Sequence, residues 1–179
     1  RVPATALAIK PQERCPGWRM KLEKFLIEHC SPTLASLKAG NLVNVSKYEI
    51  ENASKSIEEL NEKLNKKGVN VRIVKESNTR ILVYDYRKDK LIDEWAKPGV
   101  KSFMEKRGYG DLSVDMAIDK LSDKLMKNEG FPHEIGMFLG YPLGDVIGFI
   151  ANSGKNSKCT GCWKVYCDEC NAKKKFAQF

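Results

Sequence analysis

Histidine is scarce in this chain of 179 residues: His29 and His133 are the two it contains. Any imidazole chemistry must therefore use one of them. The metalloprotease pattern HExxH is absent, because Met137 stands where the second histidine would follow His133 and Glu134. No apolar run approaches the roughly 20 residues needed to cross a bilayer, which excludes a transmembrane helix. The opening "RVPATALAIKPQERCPGWR" lacks the apolar stretch of a secretory signal, so a cytoplasmic setting without membrane attachment is expected. Internal repeats and low-complexity tracts are also missing, which argues against solenoid and disordered classes.

What is present reads as one folded unit. Hydrophobic residues make up 42% and charged residues 30%, a globular balance. Residues 1–19 show no amphipathic period and read as an extension, leaving 20–179 as a single domain with a cysteine-rich C-terminal segment. The formal charge of +8 is uneven: residues 1–24 and 155–179 carry +4 each, and everything between is neutral. A broad nucleic-acid face is thus disfavoured. Only the terminal Lys173, Lys174 and Lys175 offer a basic patch, and a solvated helix face is the plain alternative.

Hydrophobic spacing predicts helices over much of the chain. "MKLEKFLIEHC" and "SPTLASLKAG" read as two helices meeting at a corner, with Ser31 as N-cap and Pro32 in the first position. "NLVNV" reads as a short strand. Ile50, Ile57, Leu60 and Leu64 share a face of the next helix, which stops at Gly68. "VNVRIVKES" and "TRILVYDYR" alternate and form a hairpin. Later helices include one capped by Ser113 with Val114, Ala117, Ile118, Leu121 and Leu125 aligned. The expected class is α+β: mostly helical, with a small antiparallel sheet made of a hairpin near 69–87 and a strand near 163–166.

Four cysteines, Cys159, Cys162, Cys167 and Cys170, form two CxxC pairs. Such pairs commonly ligate a metal, here zinc or iron, through four thiolates. If "WKVY" between them is extended it spans about 16 Å, too far for one compact site; if it turns, the four sulfurs can converge. Cys167 near a helix start also fits redox chemistry, although Asp168 and Glu169 sit inside that pair and oppose thiolate formation. Free thiols without a job are the third reading.

A second candidate cluster joins His29, Cys30, His133 and Glu134, with Cys30 as nucleophile, a histidine as base and Glu134 as orienter. "FPHEIG" starts a helix near Pro132, which puts His133 and Glu134 at its positive end. "EIGMFLGYPLGDVIGFI" has a helix-turn-helix outline with Val146, Ile147 and Ile150 inward, leaving Gly144, Asp145, Gly148 and Asn152 outward. That outward side holds no Arg or Lys, so it is not a DNA-reading face.

"HCSPTLASLKAGNL", "RILVYDYR", "FPHEIGMFLGYPLGDVIGFI" and "GCWKVYCDECNAKKKFAQF" together resemble an uncharacterised bacterial family found mainly in anaerobic Firmicutes, the domain of unknown function numbered thirty-seven ninety-three. The resemblance spans about residues 20–179 and implies a cytosolic unit without a mechanism. It carries over to His29, Pro32, Thr33, Lys38, Asn41, His133, Glu134, Gly140, Tyr141, Pro142, Asp145, Trp163, Lys164 and Tyr166. The four-cysteine set departs from the family pattern, where Tyr or Gly replaces individual cysteines. The expected function is a thiol-based metal-binding or redox accessory protein with a protein or small-molecule partner. The alternatives are a Cys/His enzyme and nucleic-acid binding through the terminal lysines.

Overall fold

The computed structural model describes residues 21–50, 52–127 and 131–179. The expected extension at 1–19 lies outside them. Helix α1 (Leu22–Leu34) is one continuous helix and buries Leu22, Leu26, Cys30 and Thr33 on a single stripe. The expected corner at Ser31–Pro32 is absent. Pro32 falls in the last turn, where the bond it cannot donate would go to Glu28 on the exposed side, so the helix runs through it.

Strand β1 (Gly40–Ser46), helix α2 (Ala53–Leu64), a 3₁₀ turn at Asn65–Lys67, and strands β2 (Asn70–Glu76) and β3 (Arg80–Tyr86) follow. Gly68 closes the α2 region in a left-handed conformation, as its position implied. The sheet is antiparallel in the order β1-β3-β2. Alternation along β3 sends Ile81, Val83 and Asp85 to one face and Tyr84 and Tyr86 to the other, where the two rings stack 4.9 Å apart. Val74 falls on the opposite face from Val71 and Ile73 by alternation, and a bulge between Ile73 and Lys75 then reverses the facing of the strand end, setting Lys75 opposite Leu82 and Glu76 opposite Ile81.

Two cores result. Helices α1 and α2 cover the Val83 face, and the Tyr84 face carries the larger core. That core gathers α3 (Lys88–Trp95), α4 (Val100–Glu105), α5 (Val114–Met126) and α6 (Ile135–Phe138). The α5 cap is as read: the Ser113 side chain accepts from the Met116 amide, and Val114, Ala117, Ile118, Leu121 and Leu125 are buried. The Tyr84 hydroxyl donates to the Phe138 carbonyl at 2.6 Å, which ties the central strand to α6. Gly40 makes room for that contact, since a Cβ there would lie 2.8 Å from the Tyr84 ring.

Helix α7 (Leu143–Ala151) follows a turn at Gly140, completing the helix-turn-helix outline. Val146 is inward, but Ile147 is 47% exposed, contrary to expectation. The face expected to be open is covered by the cysteine-rich end of the chain. A Cβ at Gly144 would meet the Cys167 sulfur at 2.5 Å, and one at Gly148 would meet the Tyr166 ring at 2.5 Å. Gly148→Ala is therefore expected to cost about 1–3 kcal/mol through overpacking, seen as a lower denaturant midpoint with unchanged helical content.

That end begins with β4 (Cys159–Thr160) and β5 (Lys164–Val165), paired Cys159 to Val165, and finishes with α8 (Glu169–Phe176). "WKVY" thus contributes a strand, as read. The bend falls inside the first CxxC pair, where the Gly161 amide donates to the Trp163 carbonyl. No helix among the described residues is long and apolar enough to cross a membrane.

Candidate functional site

The chain leaving α1 curls back on itself. The Pro32 carbonyl accepts the amides of Leu37 and Lys38 at 2.8 and 3.2 Å, and Ser36 takes a left-handed φ of 61°. Arg87, just past β3, fastens this curl: its guanidinium donates to the carbonyls of Thr33 and Leu34, both at 2.7 Å, and of Lys67 at 2.9 Å. Its own amide donates to the Ala39 carbonyl at 2.9 Å.

Lys38 is delivered by the curl into a half-buried position. Its ammonium donates to Asn41 Oδ1 at 2.6 Å and lies 5.3 Å from the centre of the Tyr141 ring. Burial pulls Lys38 below the usual lysine range, while negative charge at Cys162, Asp85 and Cys30 works the other way. The Tyr141 hydroxyl donates to the Cys162 carbonyl at 3.2 Å, and its ring stacks on Trp163 at 5.1 Å.

Beneath Lys38 lies a fully buried polar group. Asp85 is inaccessible, and neither of its carboxylate oxygens completes a hydrogen bond. Desolvation pushes it up to about 6, with the nearby Cys30 and Thr33 side chains and the Lys38 charge offsetting part of that rise. Cys30 responds in kind: burial first, then the Asp85 charge, raises its thiol far above the ordinary range. It is a protonated, enclosed thiol rather than an available nucleophile.

Asp145 makes three of the hydrogen bonds that hold the cysteine hairpin to the body. Asp145 is 3% exposed; its Oδ2 accepts from the Trp163 indole at 2.8 Å, and its Oδ1 accepts the amides of Tyr166 and Cys167 at 2.8 and 2.9 Å. Trp163 also packs edge-on against Phe176 of α8, so hairpin and helix form one small cluster with Val165 and Ala172. Asp168 caps α8 by accepting the Asn171 amide, and Glu169 pairs with Lys173 at 2.7 Å. The acidic residues between Cys167 and Cys170 therefore serve the helix start.

The four hairpin thiols are free, with Cys159 and Cys162 half-buried and Cys167 and Cys170 exposed. They face different surroundings. Cys162 belongs to the Lys38–Tyr141 corner, Cys167 sits against Gly144, and Cys159 and Cys170 share Lys173 as an electrostatic neighbour. Among the described residues no group of three or more His, Cys, Asp or Glu side chains is placed to hold a metal ion.

The quartet of His29, Cys30, His133 and Glu134 is not drawn together by any hydrogen bond or ion pair among the described residues. His29 packs its ring on Phe25 at 4.4 Å, and the exposed His133 packs on Phe149 at 5.3 Å. Glu134 accepts from Lys124 at 2.6 Å and Tyr109 at 3.2 Å. Burial alone would raise Glu134, but Lys124 holds it below the usual carboxylate range. His133 and Glu134 also precede α6, a helix of four residues, rather than opening a long one. Of the terminal lysines, Lys173 is paired with Glu169, Lys174 is exposed, and Lys175 turns toward a cleft beside Lys38 and Trp163.

Sequence reasoning passed over Asp85 as a site residue and read Asp145 as outward. The signal for Asp145 was the pair Gly144 and Gly148, four residues apart on the same face, which marks close approach of another segment. A family model described as "Protein of unknown function (DUF3793)" matches residues 26–179. No curated protein and no solved structure matches the chain.

Proposed function

The chain belongs to the DUF3793 family of unknown function, and from that premise we propose that it works through thiol–disulfide exchange at the hairpin, with Cys162 as the attacking thiol and Cys159 as its resolving partner. The observation that supports this most is the corner Cys162 occupies. Its carbonyl receives the Tyr141 hydroxyl, Lys38 carries positive charge beside it, and Asp145 fixes the strand that follows. An exchange thiol works best where a cation and a fixed geometry accompany it. Cys159, three residues earlier on β4, is in the CxxC relation that closes a short disulfide.

The reading fits a reducing cytoplasm, where thiols are kept free between turnovers. It also separates Cys162 from Cys30, whose enclosed thiol has no access to a partner.

Fully reduced protein treated with a limiting disulfide oxidant is expected to form the Cys159–Cys162 bond first, detected by peptide mapping as the loss of two hydrogens from that pair. Oxidation that leaves both thiols free would overturn the proposal. Elemental analysis of protein purified without added metal is the companion measurement: about one zinc or iron per chain, with four masked thiols, would replace exchange by metal binding.

A further inference from the structure

A cleft of about 160 Å³ opens against Tyr141, whose hydroxyl donates to the Cys162 carbonyl, and Trp163, which follows Cys162 in the chain. Lys38, Lys90 and Lys175 line it from three separate parts of the chain, and Tyr141 and Trp163 give it a flat aromatic wall. Lys90 and Lys175 are half-buried, and their ammonium groups make no hydrogen bond or ion pair among the described residues. Of the two carboxylates at the rim, Glu94 is engaged by Lys97 at 2.5 Å and Asp93 is exposed. Cations partly withdrawn from water without an anionic partner keep an unspent capacity for charge-assisted hydrogen bonds. The aromatic wall adds planar apolar contact, and the volume suits a small molecule rather than a peptide.

We propose that this cleft binds a small, flat organic carboxylate, and that its reactive member is a low-molecular-weight anionic disulfide presented to Cys162. The binding site stands on the cleft itself; the reaction rests on the exchange reading above. In that reaction the Cys162 thiolate attacks one sulfur of R–S–S–R. The S–S bond breaks, and RS⁻ leaves with the electron pair and takes a proton from water. The Cys159 thiol then gives up its proton and attacks the Cys162 sulfur of the mixed disulfide, expelling the second RS⁻. The ligand is reduced to two thiols, the Cys159–Cys162 pair is oxidised, and a cellular dithiol restores it by the reverse exchange.

The test uses the full chain and two aromatic disulfides, the dianionic 5,5′-dithiobis(2-nitrobenzoate) and the neutral 4,4′-dithiodipyridine, with adducts mapped to Cys162. Removing two cations in Lys90→Gln/Lys175→Gln is expected to lower the preference for the anionic probe about tenfold, and raised salt is expected to lower it in the same direction. Calorimetry should detect 2-nitrobenzoate binding to the Cys162→Ser protein, weakened by the same double substitution. An unchanged preference together with no 2-nitrobenzoate binding would overturn the cleft proposal even if Cys162 reacts. A Cys162 inert to both probes, with 2-nitrobenzoate still bound, would remove the exchange reaction and keep the anion site.

Discussion

Asp145→Ala is expected to release the hairpin and α8 from the body of the protein at a cost of about 3–4 kcal/mol. The carboxylate takes three donors at once, the Trp163 indole and the amides of Tyr166 and Cys167. Alanine removes all three acceptors and leaves buried donors unpaired, which costs more than the bonds themselves contribute. The remaining attachment is the glycine-lined contact on α7, Tyr141 with its ring on Trp163 and its hydroxyl on the Cys162 carbonyl, and Lys164 on the Gly154 carbonyl, together too little to hold a separate unit of three buried residues. Amide hydrogen exchange should rise sharply across 158–179 and stay slow in β3. Asp145→Asn, which keeps one acceptor oxygen, should fall between the two. Unchanged exchange in Asp145→Ala would show that the tether lies elsewhere.

The second large effect concerns pH. Burial keeps the Asp85 carboxyl protonated in the folded protein up to about pH 6, against an ordinary value of 3.8 when exposed. Between those two values the folded state holds more protons than the unfolded one, so stability falls as pH rises through that window. Above it the full cost of a desolvated charge is present, about 2–3 kcal/mol, eased in part by Cys30, Thr33 and Lys38. Asp85→Asn should therefore stabilise the protein by that amount at pH 8 and by little at pH 3.5. Urea melts at the two pH values decide it: an equal effect at both, or destabilisation at pH 8, would mean that the buried carboxylate is satisfied by its neighbours.

Elements whose own residues carry the signal were legible. The α5 stripe from Val114 to Leu125 and its Ser113 cap follow from helical spacing alone, and alternation in "RILVYDYR" gives β3. Those strand rules also place Asp85 on the inward face with Ile81 and Val83, so its burial was readable where its neighbours were not. The site itself depends on contacts far apart in sequence. Lys38 meets Tyr141, and Tyr141 meets Cys162, through a curl, a turn and a hairpin whose relative placement no local pattern encodes. Pro32 misled because proline is compatible with either a first turn or a last one. Asp145 misled because a polar residue between glycines looks solvent-facing until another segment covers it.

Arg87 holds both sides of the Lys38 curl, Thr33 and Leu34 with its guanidinium and Ala39 with its amide. The conformational entropy of closing the segment between Leu34 and Ala39 is thus spent when the sheet forms, not when anything enters the cleft. A ligand meeting Lys38 would find a loop already frozen, so association should proceed close to rigid-body docking, with little heat-capacity change beyond the surface directly covered.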